Sequence, residues 1–115
     1  GGIQVDEEGN LANWIIPQKM IAGIGGAMDL AVGSKKLIVA MEHTAKGESK
    51  ILKRCTYPLT ASKKVNLIVT ELAVIEVNKD GLLLKEIHPD TSVENVINKT
   101  EAKLNISKDL KFMEI

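Results

Sequence analysis

Met20-Ile21-Ala22-Gly23-Ile24-Gly25-Gly26-Ala27-Met28-Asp29-Leu30 and, shortly after it, Leu37-Ile38-Val39-Ala40-Met41 decide the reading of the fold. The first stretch is an apolar lead-in, a cluster of glycines at 23, 25 and 26, and a helix-like run over 27–32 stopped by Gly33. The second is an unbroken apolar run between Lys35-Lys36 and Glu42, the pattern of a buried parallel strand. Loop, helix and strand make half of a βαβ unit. The expectation is an α/β fold, an open and mainly parallel sheet with flanking helices. A glycine turn that opens a helix leaves unpaired N–H groups at a positive dipole end, which suits a phosphate, a carboxylate or an oxyanion. The same glycines also serve a plain tight turn that lets a helix lie close to a sheet. They lack the G-x-G-x-x-G spacing of a dinucleotide fold and the lysine of a P-loop.

Outward from this core, residues 1–5 read as a strand, and Asp6-Glu7-Glu8-Gly9-Asn10 as a turn. Residues 11–16 read as a second extended run ended by Pro17. Trp14 within it is a core aromatic or a subunit-contact anchor. Residues 45–49 read as a loop, 51–55 are ambiguous, and 65–69 form a strand. Residues 72–77 and 82–87 flank Asn78-Lys79-Asp80-Gly81 as a β-hairpin. Thr91-Ser92-Val93-Glu94 has the form of a capping box with Thr91 as N-cap, and Val93, Val96 and Ile97 then share one face of a short helix. A last short strand is expected over 104–106, with 110–115 trailing. One domain over 1–115, without repeats or linker, accounts for all of this.

The composition narrows the partners. Net charge is zero, so nothing points to nucleic acid or an anionic membrane surface. No apolar run approaches the length of about 18 residues that a membrane span needs. One cysteine cannot form an internal disulfide, which makes a reducing, cytoplasmic compartment the default. Two histidines and no cysteine pair leave a metal site little to build on.

Several side chains have a chemical and a structural reading. His43 follows Glu42 at the carboxyl end of the 37–41 strand, where ligand sites of open α/β sheets gather. It is a base, a ligand or a satisfied structural group. His88, at the hairpin exit, reads as a surface residue. Lys46, with Lys50, Lys53 and Arg54 near it in sequence, is either a phosphate contact or a solvated basic edge. Cys55 is a reactive thiol or a small buried hydrophobe.

The wording around the glycine loop is more specific than the loop. Gly2-Ile3-Gln4-Val5-Asp6-Glu7-Glu8-Gly9-Asn10-Leu11-Ala12-Asn13-Trp14, Met41-Glu42-His43-Thr44-Ala45-Lys46-Gly47, Cys55-Thr56-Tyr57-Pro58-Leu59-Thr60 and Val69-Thr70-Glu71-Leu72-Ala73-Val74 come in the order and spacing of one family. Together they resemble the beta subunits of class I coenzyme A transferases over nearly the whole chain, less so after about Pro89. The resemblance implies that coenzyme A, a substrate and not a cofactor, moves between a short-chain or 3-oxo acyl group and a carboxylic acid. It implies an alpha-subunit partner in a hetero-oligomer and a covalent glutamyl-CoA intermediate. In the family the glutamate sits in Glu-Asn-Gly, which neither Glu94-Asn95-Val96 nor Glu7-Glu8-Gly9 matches. The family places that motif upstream of where this chain starts. The chain is therefore expected to be a C-terminal portion without the nucleophile and inactive alone. Gly23, Gly25 and Gly26 are carried over as the loop lining the acyl/CoA pocket, and Lys46 as a contact to coenzyme A. Two other classes stand beside this one: a nucleotide-binding Rossmann-like module and a non-catalytic scaffold for subunit contact.

Overall fold

A computed structural model describes residues 3–13, 37–57 and 59–114. The glycine loop, Trp14 and the expected helix over 27–32 lie outside the described residues. Among the described residues the chain forms β1 (Ile3–Asp6), β2 (Leu11–Asn13), β3 (Leu37–Ala40), β4 (Thr44–Ala45), β5 (Glu48–Ser49), β6 (Ile51–Leu52), β7 (Leu59–Ala61), β8 (Val65–Val69), β9 (Ala73–Asn78), β10 (Gly81–Ile87), α1 (Val93–Asn98) and β11 (Leu104–Phe112).

The strands form a sheet of order β11-β10-β9-β8-β3, a second of order β6-β1-β2-β7, and the small β4-β5 hairpin. The expected apolar strand is β3, and it runs parallel to β8, with Val39 beside Ile68 and Ala40 beside Val69. β10 with β11 and β1 with β6 are also parallel, while the other ladders are antiparallel. The α/β reading stands, with parallel and antiparallel pairs mixed in each of the two larger sheets.

The core follows from side-chain alternation across the hairpin. Ala73 and Ile75 of β9 and Leu82 and Leu84 of β10 are fully buried, as the period of two requires. Ile87 lies three positions after Leu84 and would point the other way. A bulge at Lys85, where the register steps from Leu84 beside Ile75 to Glu86 beside Val74, shifts the phase and returns Ile87 to the core. Gly81 closes the turn at φ 111°, with the Asp80 N–H donating to Asn78 Oδ1 at 2.9 Å.

Four local expectations change. Residues 45–49 are a hairpin and not a loop: Lys46 at φ 53° and Gly47 at φ 81° give the two successive left-handed residues that a tight β4–β5 turn needs. The N-cap of α1 is Ser92, whose side chain accepts the Asn95 N–H at 3.1 Å. Thr91 instead accepts from the Asn95 side-chain amide at 2.8 Å. In α1 only Val96 is fully buried, whereas Ile97 is 43% exposed. β11 runs nine residues, paired with β10 at 104–106 and again at Lys111 and Phe112, with an irregularity between.

Gly9 joins the two larger sheets. Its N–H donates to the Asp6 carbonyl at 3.0 Å, and its carbonyl accepts the Val65 N–H of β8 at 3.0 Å. It sits at φ 80°, and a Cβ there would stand 2.8 Å from the Val65 carbonyl oxygen. Gly47 has a similar φ but open space around it. Gly9→Ala should therefore lower stability by on the order of 1–3 kcal/mol from backbone strain alone, and by more than Gly47→Ala. Urea unfolding of both variants checks this, and equal losses would contradict the close approach.

Candidate functional site

The parallel strands β3 and β8 end side by side, with the Met41 N–H donating to the Val69 carbonyl at 3.0 Å. From there the chain turns away through Glu42-His43-Thr44 and through Thr70-Glu71-Leu72. This is the end of the sheet where the sequence placed a site, and His43 occupies it, fully buried.

His43 is held on every side. Its backbone N–H donates to Glu71 Oε1 at 2.8 Å, and its carbonyl accepts the Lys50 N–H at 3.2 Å. The ring joins Thr70 Oγ1 through Nδ1 at 2.9 Å and Thr100 Oγ1 through Nε2 at 2.7 Å. Burial holds its pKa below the usual histidine value; Glu71 works against this and Lys99 with it. The ring is thus neutral near pH 7 and fully committed to two hydroxyls. That geometry is of a structural group rather than of a base facing substrate. Thr70 lies in a quoted motif, but Thr100 lies 57 positions from His43, and no local spacing announces that pairing.

Lys46 stands exposed at the tip of the β4–β5 hairpin, with no ion pair among the described residues. Its sequence neighbours are used differently. Lys50 is 7% exposed, with its peptide bonded to His43 and Val5. Lys53 and Arg54 are exposed and line a groove with Glu7, Tyr57 and Lys103. The basic run is therefore not one patch.

The floor of that groove is Asp6, 1% exposed. Its Oδ1 accepts N–H bonds from Glu8 at 3.0 Å and Asn10 at 3.1 Å. Its Oδ2 accepts the Asn10 side-chain amide at 3.0 Å and the Cys55 N–H at 3.1 Å. Burial alone would raise its pKa, but the donors outweigh burial and hold it below the ordinary carboxylate value. The sequence marked 6–10 as a turn; it gave no sign that the carboxylate is the turn's buried anchor.

Cys55 sits half-buried above this carboxylate, with Sγ 3.5 Å from the Asn10 carbonyl. Burial, then the charge of Asp6 and its hydrogen bond, push the thiol pKa up to about 12. It is a thiol and not a thiolate at neutral pH, which leaves it the small-hydrophobe reading. His88 is partly exposed at the hairpin exit, its Nδ1 accepting the Asp90 N–H at 3.0 Å. Among the described residues no cluster of histidine, cysteine or carboxylate side chains could hold a metal ion. With Cys55 raised from 9.0 to about 12, iodoacetamide at pH 8 should label it on the order of a thousandfold more slowly than a free cysteine. Labelling at the free-cysteine rate would contradict the burial of the thiol against the Asp6 carboxylate.

Three comparisons bear on this arrangement. Residues 1–99 match the family described as coenzyme A transferase. The chain is 56% identical over its whole length to the acetate CoA-transferase subunit beta of Haemophilus influenzae, of which it covers 52%. It is 54% identical over 96% of its length to the acetate CoA-transferase subunit beta of Escherichia coli, covering 51% of it. The chain thus spans about half the length of the curated relatives it matches. Among solved structures it is similar to an acyl-CoA transferase apoenzyme from Escherichia coli O157:H7, with a TM-score of 0.74 at 26% identity, over 96% of this chain and 26% of that one. With residues 1–99 matched by the family and 56% identity to an acetate CoA-transferase subunit beta, the chain belongs to the coenzyme A transferase family.

Proposed function

We propose that this chain is part of the beta subunit of a short-chain or 3-oxoacid CoA-transferase, working with an alpha subunit in a cytoplasmic hetro-oligomer. The observation that carries the reading is 56% identity over the whole chain to an acetate CoA-transferase subunit beta. The chemistry of the described residues agrees. His43 and Cys55 are both spent on structure, so the nucleophile is to be sought elsewhere. We assign residues 1–115 to one portion of the subunit's domain. Among the described residues no helix is long and apolar enough to cross a membrane.

In this reading a glutamate carboxylate outside the chain attacks the acyl-CoA carbonyl. The C–S bond breaks, and the coenzyme A thiolate leaves an acyl-glutamyl anhydride. The thiolate attacks the glutamyl carbonyl, which expels the first acid and gives the glutamyl-CoA thioester. The second acid's carboxylate attacks that thioester, and the same two steps run backwards on the new acyl group. Every step passes an oxyanion, and every intermediate is open to hydrolysis, so oxyanion donors and exclusion of water are the protein's task. We assign the donors to the backbone N–H groups of the loop carrying Gly23, Gly25 and Gly26. We assign Lys46, an exposed cation on a two-residue turn, to a phosphate of coenzyme A, which enters as substrate.

Two outcomes are expected. The chain alone should not exchange coenzyme A between acetoacetyl-CoA and acetate, whereas the full beta subunit with its alpha subunit should. In that complete enzyme Gly25→Ala should lower turnover at least about tenfold, since losing one oxyanion donor costs about 3–4 kcal/mol in the barrier. Its melting temperature should shift by only a few degrees. Normal turnover with a large loss of stability would make the loop a packing turn.

A further inference from the structure

We propose that His43 is an acid-operated latch: on protonation it lets go of the C-terminal end of α1 and the 99–103 segment that follows. The proposal is independent of the catalytic reading above and rests on the hydrogen-bond bookkeeping of the ring.

The Thr100 hydroxyl has one proton, and it donates it to the Val96 carbonyl at 2.7 Å. Toward His43 it can only accept, so Nε2 carries the hydrogen in the 2.7 Å bond. Thr70 Oγ1 already accepts the Leu72 and Ala73 N–H groups, each at 3.1 Å. Its own proton then goes to His43 Nδ1 at 2.9 Å, with the Ala73 carbonyl, 3.5 Å away, a poorer acceptor. The neutral Nε2–H tautomer satisfies every group. A second proton on Nδ1 would aim at an oxygen whose two lone pairs are taken, inside a residue with no solvent exposure.

The charged groups around the ring do not rescue it. Glu71 favours protonation and Lys99 opposes it, and burial outweighs both. Glu42, next in the chain, is exposed. Lys50 meets His43 through its backbone. Glu101, beside Thr100, takes the Lys53 N–H at 3.2 Å.

The Nε2–H bond to Thr100 survives protonation; the conflict is at Nδ1 against Thr70, and it is relieved when water reaches the ring, for which the Thr100 side is the one that can open. Thr70 is built into the β8–β9 turn, where its backbone N–H also donates to the Ala73 carbonyl at 2.9 Å. Thr100 closes a helix of six residues with one fully buried side chain, Val96. Helices shorter than about 12 residues do not stand without tertiary support. The segment after it is held by one bond per residue, from the Glu101 N–H to Ser49 Oγ at 3.1 Å, from the Ala102 N–H to the Ile51 carbonyl at 3.2 Å and from the Lys103 N–H to Glu7 Oε2 at 2.9 Å, with Ala102 the one buried side chain among residues 101–103. It walls a groove shared with Gln4 and Thr56, so its release would widen that groove.

The sign follows from the lowered pKa. The unfolded side chain binds its proton near 6.5 and the folded one only at lower pH, so the latch is fully closed above about 6.5 and loses hold as pH falls below it. Hydrogen–deuterium exchange of the full-length protein between pH 7.5 and 5, corrected for the intrinsic rate, tests this on a peptide covering 92–103. Protection there should fall by up to about tenfold per pH unit below roughly 6.5, and His88→Gln should keep that slope. His43→Gln should remove the slope. Should that variant not fold, ring ¹⁵N shifts of the wild type decide: His43 should stay a neutral Nε2–H ring until the helix opens. A flat profile in the wild type, a slope retained in His43→Gln, or a ring that protonates while protection persists would each overturn the proposal.

Discussion

The Asp6 carboxylate is the interaction on which the described structure depends. It lies at the end of β1, buried, and gathers four donors from Glu8, Asn10 and Cys55. In doing so it shapes the turn that places the Gly9 carbonyl on Val65 and the Asn10 side-chain oxygen on the Lys63 N–H at 2.9 Å. Those two bonds tie the β6-β1-β2-β7 sheet to the start of β8 in the larger sheet. The same carboxylate holds the segment after β6 and, after burial, adds to what keeps the Cys55 thiol protonated. A buried charge is costly unless hydrogen-bonded; here each oxygen has two donors, so the charge becomes an organiser of backbone.

A second polar joint, His43, does at the strand ends what Asp6 does at the turn. It connects β3, the β8–β9 turn and the end of α1 through two hydroxyls. Both joints sit among β-branched and leucine side chains that supply most of the burial without specifying how three sheets and a helix meet. The apolar residues drive collapse, and these polar groups select one arrangement from the many that collapse would allow.

What was legible in the sequence was what is local. The run 37–41 announced a strand because it is apolar without interruption, but not its burial: among the described residues β3 ends the order of its sheet, with Val39 buried and Ile38 51% exposed. The hairpin around Asn78-Lys79-Asp80-Gly81 announced itself by alternation and a turn ending in glycine. The β4–β5 hairpin was missed because strands of two residues carry no periodicity, and only the left-handed Lys46-Gly47 pair makes it. The extent of β11 was missed because Ser107, Lys108 and Asp109 are poor strand formers; they fall where the ladder to β10 breaks, and pairing resumes only at Lys111 and Phe112. The roles of His43 and Cys55 were legible only as alternatives, and that of Asp6 not at all. The partners of the His43 ring, and the Asp6–Cys55 contact, come from segments some 27 to 57 positions away, a distance at which spacing says nothing. The family was legible because four motifs keep their register, and that is information about ancestry rather than about any one contact.

The most direct test of Asp6 as the organiser is the urea stability of the full-length protein and its Asp6→Asn variant, measured from pH 7 down to pH 2.5. The Asp6 pKa is lowered by folding from an ordinary 3.8, so its contribution is complete above that value and disappears as pH falls through the folded one. In Asp6→Asn the new amide turns a donor toward donors, and each buried group left unsatisfied costs about 1–3 kcal/mol. The account predicts a wild-type advantage of at least about 2 kcal/mol at pH 7 that shrinks steadily below pH 3.8. Equal stability at pH 7, or an advantage that does not change with pH, would contradict it.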